Sequence, residues 1–277
     1  MIKICELSPR DGIQVFKKFI PTETKIKLIN AISDSGIKEI HVTYFAHPKV
    51  ITQLRDAEEV CSKIRRRREV KYIGFIPNEV GLRRALHSKI DRISFFMSIE
   101  DSINLTFFRK NLGSLLEEMI VVAREAKSEG LEVEAFIVRA FESGNRESAC
   151  RVAEQLVKAG VDILYFSNFG EPVRPKEIYS FFKSLSPHST NVEIGIHLYA
   201  KKDEMASLLN SALDSGLKRF VTSLGGIGVR KIDGRLVTLP PTELLVNIAG
   251  LDNLRLEPAL KIIDEINNTV EKVGSLW

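Results

Sequence analysis

The chain alternates short runs rich in β-branched residues with longer amphipathic stretches, and this alternation restricts its fold more than any other feature. The β-branched runs predict eight strands, at residues 2–7, 39–43, 71–76, 90–97, 132–138, 162–166, 193–197 and 219–222. Seven amphipathic stretches predict helices at residues 22–35, 48–67, 79–87, 102–129, 146–159, 175–185 and 203–215. Strict strand–helix alternation implies a parallel sheet with right-handed crossovers.

The number of strand–helix units favours a closed barrel. Eight units in about 250 residues is the size of a (β/α)8 TIM barrel. A doubly wound open sheet is the alternative, but no glycine-rich dinucleotide fingerprint follows an early strand. Residues 242–250 and 258–273 predict an eighth barrel helix and an additional C-terminal helix. No linker rich in proline or serine interrupts the chain, so we predict a single TIM-barrel domain over residues 1–277.

Composition excludes several classes of function. The net charge of +4 over 277 residues is too small to indicate a nucleic-acid partner. No apolar run approaches the length of a membrane span, so no membrane association is expected. The three cysteines are far apart and form no metal-binding or redox motif. A sparse, odd number of cysteines is typical of a reducing compartment, and there is no signal-peptide pattern, so a cytoplasmic location is predicted.

Polar residues stand at the predicted C-terminal ends of several strands, where barrel enzymes carry their chemistry. Arg10 and Asp11 follow the first strand, and His197 ends the seventh. A carboxylate and an imidazole are ligands for Mg²⁺, Mn²⁺ or Zn²⁺, and His41 in the second strand could supply a third. The alternative for His41 is a buried polar group satisfied by its neighbours.

Two further features are candidates for substrate binding. Arg139 ends the apolar fifth strand, and its planar guanidinium could clamp a carboxylate or a phosphate. An ion pair with Glu142 or another acid explains the same residue equally well. Gly225 and Gly226 follow the eighth strand, where they permit either close backbone approach to a ligand or a tight turn.

The opening motif resembles that of the 3-hydroxy-3-methylglutaryl-CoA lyases, members of the DRE-TIM metallolyase (pyruvate carboxyltransferase-like) family. The similar segments are Ser8-Pro9-Arg10-Asp11-Gly12-Ile13-Gln14 with Lys17 and Pro21-Thr22, then Thr43-Tyr44-Phe45 with Pro48-Lys49, Phe107–Asn111, Ala140-Phe141, Ile196-His197, Leu224-Gly225-Gly226 and Thr242-Glu243. The resemblance covers nearly the whole chain. It implies that Asp11 binds a divalent metal and that Arg10 stabilises an enolate oxygen. If the protein is a lyase, Lys17 or Arg139 would anchor a carboxylate or phosphate of the substrate.

Five positions depart from the pattern that the resemblance implies. The family's His-x-His metal pair is His197-Leu198-Tyr199 here, and the family's ligating Asn aligns with Leu239. The remaining departures are Ile227 for the Cys after the two glycines, Asn168 for a strand-six Asp, and His41 for a strand-two Glu. Each removes a ligand, a proton carrier or a charge, so the site is predicted to have diverged.

Two functions are consistent with this sequence. The first is a metal-dependent carbon–carbon lyase or aldolase, with altered substrate or mechanism, acting on a hydroxy or oxo acid that could be a CoA thioester. The second is a catalytically degenerate barrel that binds a small acid or acyl-CoA, or serves as a partner protein. The additional C-terminal helix could support a homodimer.

Overall fold

Eight parallel strands close into a barrel in a computed structural model that describes residues 1–142, 144–185, 192–232 and 234–269. The strands are β1 (Lys3–Glu6), β2 (Glu39–Tyr44), β3 (Lys71–Phe75), β4 (Arg92–Ser98), β5 (Glu132–Val138), β6 (Ile163–Ser167), β7 (Glu193–His197) and β8 (Arg219–Thr222). Each pairs with the next, and β1 pairs with β8 from Lys3 opposite Arg219 to Glu6 opposite Thr222. The predicted (β/α)8 barrel is therefore confirmed, and the open sheet is excluded.

Ten helices are described in these residues. They are α1 (Thr22–Asp34), α2 (Ala57–Lys63), α3 (Glu79–His87), α4 (Asp101–Phe108), α5 (Leu112–Ser128), α6 (Arg146–Lys158), α7 (Pro175–Ser184), α8 (Met205–Asp214), α9 (Thr242–Ala249) and α10 (Glu257–Thr269). The additional C-terminal helix, α10, packs against α1, and the end predicted for it at residue 273 lies outside the described residues. None of the described helices is long and apolar enough to cross a membrane.

Two predicted helices are shorter or divided in the structure. The helix predicted at 48–67 is a short 3-10 turn, Thr52–Leu54, followed by α2. The helix predicted at 102–129 is divided because Arg109 adopts a left-handed conformation with a φ of 57°. Asn111 then caps α5 by accepting a hydrogen bond from the Ser114 amide at 2.9 Å. The break lets α4 lie over the barrel opening, where Phe107 lines a cavity.

One structural element was not predicted. The residues after β8 form a two-stranded antiparallel hairpin, β9 (Arg230–Ile232) and β10 (Arg235–Val237). Its apolar side chains Ile232 and Val237 belong to the same buried cluster as the interior barrel residues Leu7 and Val221. The hairpin therefore closes one side of the barrel opening.

The lower part of the barrel interior is charged. Arg92 on β4 contacts Glu39 at 2.9 Å and Glu134 at 3.2 Å, and Arg219 on β8 also contacts Glu39. Above these charges, Phe136 and Tyr165 stack with ring centroids 4.7 Å apart. Side chains at alternate positions of a strand point to the same face, so this layering continues upward to the C-terminal ends of the strands.

Candidate active site

Asp11 is held in a turn directly after β1. The amides of Arg10 and Asp11 both donate to the Leu7 carbonyl, at 3.0 and 2.7 Å, and a 3-10 turn, Gly12–Val15, follows. This turn brings the Asp11 side chain back over the barrel opening. Arg10 and Asp11 are both buried despite their charges.

Three side chains contact the Asp11 carboxylate. Arg10 Nη1 donates to Oδ1 at 3.0 Å, while the Tyr199 hydroxyl donates to Oδ2 at 2.7 Å. Arg230 Nη2 lies 2.7 Å from the same Oδ2 and also donates to the Asp11 backbone carbonyl at 3.2 Å. Burial opposes ionisation of Asp11, but the charges of Arg230 and Arg10 outweigh it and hold the pKa of this carboxyl well below its usual range.

His197 ends β7 beside this group. Its Nδ1 shares a hydrogen bond with Ser167 Oγ at 3.0 Å, and its buried Nε2 has no partner among the described residues. Burial, together with the charges of Arg10 and Arg230, lowers the pKa of His197 to about 3. The imidazole is therefore neutral at pH 7, and its Nε2 is available to a ligand.

These groups line one cavity of about 330 Å³ at the C-terminal ends of the strands. Arg10, Asp11, Gln14, His197 and Arg230 form its polar part. Its walls are mainly aromatic and aliphatic: Tyr44, Val50, Ile51, Phe75, Phe96, Phe107, Phe136, Val138, Phe169 and Tyr199. This composition is typical of a small-molecule site, with apolar walls and a few polar groups that fix the orientation of the ligand.

The other predicted site residues lie elsewhere. His41 is fully buried lower in the barrel, where its Nε2 is 2.6 Å from Glu134 Oε1. Lys17 is exposed and is not part of the cavity lining. Gly225 and Gly226 sit in a tight turn with φ values of 64° and 58°, also outside the cavity lining. The structure therefore brings Arg10, Asp11 and His197 together at one cavity, whereas these four residues lie outside its lining.

Arg139 faces a neighbouring pocket instead of the cavity. Its guanidinium contacts Glu171 and lies 3.1 Å from Glu142 and 3.7 Å from Glu100. The pocket, of about 200 Å³, also includes Asn168. These contacts correspond to the ion-pair alternative for Arg139, so its role as a substrate clamp stays a prediction.

Three of the residues that depart from the family pattern, Asn168, Tyr199 and Leu239, lie close together in the structure. Asn168 Oδ1 accepts a hydrogen bond from the Tyr199 amide at 2.9 Å, and its Nδ2 donates to the Tyr199 carbonyl at 2.7 Å. An aspartate could not donate that second bond. Leu239 is fully buried in the same apolar cluster as Tyr199. Asn168 thus fixes the backbone of the residue whose phenol contacts Asp11, and the Tyr199 ring belongs to a buried apolar cluster.

The loop after β8 packs directly on the opening motif. A Cβ added to Gly12 would lie 2.5 Å from Ile227 Cγ2 and 3.2 Å from the Ile227 carbonyl oxygen. Gly12→Ala is therefore expected to lower the free energy of unfolding by about 1–3 kcal/mol, because a β-branched side chain adjusts poorly. Adding Ile227→Ala should recover part of the loss, as measured by urea denaturation.

Gly113→Ala is the matched control for this prediction. The nearest atom to an added Cβ there is Asn111 Oδ1 at 3.6 Å, which is an ordinary contact. Position 113 lies inside α5, where alanine is preferred over glycine, so no loss of stability is expected. Equal losses in both variants, or no recovery in the double variant, would contradict the proposed packing of Ile227 on Gly12.

Sequence reasoning missed Arg230 and two of the aromatic wall residues, Phe96 and Phe169. Arg230 is 219 positions from Asp11 in the chain and reaches it only because of the unpredicted hairpin. Phe96 and Phe169 are ordinary core residues by pattern, and only the barrel geometry places them around one cavity. No motif marked any of these residues.

The fold and this site define a TIM-barrel protein with the layout of a barrel enzyme, since its polar groups converge at the C-terminal ends of the strands. More specifically, the chain belongs to the HMGL-like family, whose family model matches residues 1–251. The family resemblance drawn from the opening motif is therefore confirmed.

Individual relatives agree with this assignment. A hydroxymethylglutaryl-CoA lyase of Bacillus subtilis is 29% identical over 232 residues, which are 82% of this chain and 78% of the relative. The crystal structure of the B. subtilis HMG-CoA lyase superposes with a TM-score of 0.88 at 28% identity, covering 96% of this chain and 93% of that one. An Acinetobacter baumannii HMG-CoA lyase in complex with coenzyme A and 3-methylmalate has a TM-score of 0.86 at 23% identity, covering 100% and 94%.

The family resemblance implies a divalent metal bound to Asp11. Among the described residues, Asp11 belongs to no group of three His, Cys, Asp or Glu ligands close enough to share an ion. Both of its carboxylate oxygens are already engaged by Arg10, Tyr199 and Arg230. Two guanidinium groups beside a carboxylate repel a further cation. The residues around Asp11 therefore do not fit a divalent metal.

A different group of three could hold a metal. The ligand atoms of Cys5, His41 and Glu134 all lie within 4.8 Å of one another, and all three residues are buried. Glu134, however, is already bonded to His41 at 2.6 Å and to Arg92 at 3.2 Å. None of the three lines the cavity. This group is separate from Asp11 and His197, so the prediction that His41 shares one ion with them stays a prediction.

Proposed function

We propose that this protein is a carbon–carbon lyase or aldolase that cleaves a small hydroxy or oxo acid, either free or as a CoA thioester. The observation that carries the proposal is that Arg10 and His197 line one cavity at the ends of β1 and β7. The proposal is supported by relatives that are HMG-CoA lyases, and by the coenzyme A and 3-methylmalate in the A. baumannii structure.

The residues present can perform the steps of a retro-aldol cleavage. His197 Nε2, which has no partner among the described residues, would accept the proton of the substrate's 3-hydroxyl group. The oxygen's electrons would then form a carbonyl, the C2–C3 bond would break, and its electron pair would pass into an enolate. Arg10 would stabilise the enolate oxygen by a charge-assisted hydrogen bond. Return of the proton to C2 would complete the cleavage.

This mechanism differs from the metal-dependent form predicted from the sequence. With Mg²⁺, Mn²⁺ or Zn²⁺, a metal held by Asp11 would bind the substrate oxygens directly. The contacts of Asp11 do not fit that arrangement, so we assign no step to a metal. Altered chemistry relative to the HMG-CoA lyases is consistent with Tyr199, Leu239, Ile227 and Asn168 at family site positions.

The alternative is a barrel that binds a small acid or acyl-CoA without cleaving it. One observation favours it: none of the described residues that line the cavity is a cysteine. The Cys of the family pattern is Ile227 in this chain, and Ile227 packs against Gly12. In this alternative, Arg10 and Arg230 would serve only to hold the acid.

Cleavage assays distinguish the two functions. The protein would be incubated with 3-hydroxy-3-methylglutaryl-CoA, other 3-hydroxyacyl-CoA thioesters and free hydroxy acids including 3-methylmalate, in deuterated water. We expect little or no cleavage of 3-hydroxy-3-methylglutaryl-CoA. Cleavage of another member, with deuterium at C2 of the product by mass spectrometry, would support a lyase. Thermal stabilisation by a compound that is neither cleaved nor labelled would favour the binding protein.

A further inference from the structure

Arg230 is placed where a cation is required. Its side chain is 6% exposed, and its Nη2 lies 2.7 Å from Asp11 Oδ2. The guanidinium carbon also lies 5.8 Å from the centre of the Tyr199 ring. A buried carboxylate needs a partner of opposite charge, and here an arginine from the β9–β10 hairpin supplies it.

We propose that Arg230 takes the place of a metal beside Asp11, and that the cavity binds a small monocarboxylate with an apolar body without a metal ion. This inference rests on the proposed function, because it names the substrate class of the same site. It goes further by assigning recognition of the acid to Arg10 and Arg230, a pair that the family pattern does not contain.

The charges of the cavity lining favour a single negative charge on the ligand. Arg10 and Arg230 are positive and Asp11 is negative, so the lining carries one net positive charge at neutral pH. Gln14, His197 and the two tyrosines add none. One carboxylate or enolate balances this charge, whereas a second carboxylate would be buried without a partner.

Unsatisfied polar atoms are positioned for such a ligand. The buried Nε atoms of Arg10 and Arg230 have no hydrogen-bond partner among the described residues, and neither does His197 Nε2. All three residues line the cavity and are more than nine-tenths buried. Buried polar groups are normally hydrogen-bonded, so these atoms indicate a ligand or ordered water between them.

The aromatic walls of the cavity favour a ligand whose remaining part is apolar. Phe96 contacts Phe107 and Phe169, with ring centroids 5.2 and 6.4 Å apart, and the Phe75 ring lies 6.0 Å from that of Phe96. These rings form an apolar surface along the wall of the cavity. An aromatic or branched aliphatic acid would bury apolar surface against these rings, whereas a second polar group would not.

The first experiment measures metal content of the purified protein. We expect Asp11→Asn to leave any bound metal unchanged, because the inference places none beside Asp11. Metal that is retained in Asp11→Asn but lost in Cys5→Ser would belong to the Cys5–His41–Glu134 group and would support the inference. Stoichiometric metal that is lost in Asp11→Asn would overturn it.

The second experiment measures binding by calorimetry, with 3-phenyllactate as a monocarboxylate probe and malate as a dicarboxylate. We expect 3-phenyllactate to bind more tightly than malate and equally well with or without EDTA. Arg230→Gln should weaken its binding by at least about tenfold, the range for a lost charge-assisted hydrogen bond. Loss of binding in EDTA, tighter binding of malate, or unchanged binding by Arg230→Gln would overturn the inference.

Arg235→Gln is the matched control, because Arg235 lies on the same hairpin but contacts Glu204 at 3.0 Å and the Gly170 carbonyl at 3.2 Å, outside the cavity lining. It should bind 3-phenyllactate as the unmodified protein does. Binding does not depend on turnover, so the two proposals fail separately. Metal-free binding of 3-phenyllactate, with no cleavage in the assays above, would refute the lyase and support this inference. Cleavage that EDTA abolishes would support the lyase and refute this inference.

Discussion

Replacing Arg92 by methionine is expected to lower the free energy of unfolding by about 3–5 kcal/mol, the usual cost of removing one partner from a buried ion pair. Arg92 is 3% exposed inside the barrel. Its guanidinium bonds to Glu39 at 2.9 Å, Glu134 at 3.2 Å and Glu132 at 2.9 Å. Methionine would fill much of the volume but would leave Glu134 with His41 alone and Glu39 with Arg219 alone. Urea denaturation with linear extrapolation measures the change.

Arg83→Met provides the control for Arg92→Met. Arg83 pairs with Glu79 one helical turn away on α3, and both side chains are at least half exposed. Such a pair contributes only about 0.3–0.5 kcal/mol. A loss for Arg92→Met no larger than that of the control would show that the charged interior does not stabilise the fold, and that its carboxylates are protonated or hydrated instead.

The fold was predictable because it depends on a repeated pattern. Runs of β-branched residues followed by amphipathic stretches recur eight times, and each unit is confirmed in order. The errors fall where local conformation outweighs periodicity. Arg109 takes a left-handed conformation that few residue types favour, and the apolar spacing on both sides gave no sign of the break. The Asn111 cap was the one available signal.

The site was only partly predictable because strand ends can be located from sequence, whereas long-range contacts cannot. Arg10, Asp11 and His197 immediately follow or end predicted strands, so their convergence follows from the barrel. Arg230 depends on a hairpin of two three-residue strands, too short to show a pattern. The pairing of His41 with Glu134 depends on inward-facing positions of β2 and β5, which do not adjoin in the barrel.

The contacts in the structure change how the five departures from the family pattern are interpreted. Taken separately, each removes a catalytic or ligating group. Four of them lie together: Tyr199 binds Asp11, Asn168 fixes the Tyr199 backbone, Leu239 belongs to the same buried cluster as Tyr199, and Ile227 packs on Gly12 of the opening motif. The fifth, His41, pairs with Glu134 lower in the barrel. Random loss of function would not be expected to retain mutually compatible contacts around a buried carboxylate. This consistency favours a rebuilt site over a decayed one.

Arg10→Lys is expected to reduce kcat/KM by about 100- to 1,000-fold on whichever substrate the cleavage assays identify, the usual loss when one group that stabilises an oxyanion is removed. Arg10 Nη1 is fixed by Asp11 at 3.0 Å, and its guanidinium carbon lies 4.5 Å from the centre of the Phe75 ring. Lysine keeps the charge but lacks the planar fork that satisfies the carboxylate, the ring and an enolate oxygen together.

Arg55→Lys is the matched control, since Arg55 also lies over an aromatic ring, 4.0 Å from the centre of Phe19, but is exposed and outside the cavity lining. Its kcat/KM should be unchanged. The division of the loss in Arg10→Lys between kcat and KM then tests the mechanism. A fall in kcat shows that Arg10 acts on the enolate, because that charge exists only as the C2–C3 bond breaks. A rise in KM with unchanged kcat would contradict this role and make Arg10 an anchor for the acid, as in the binding-protein alternative.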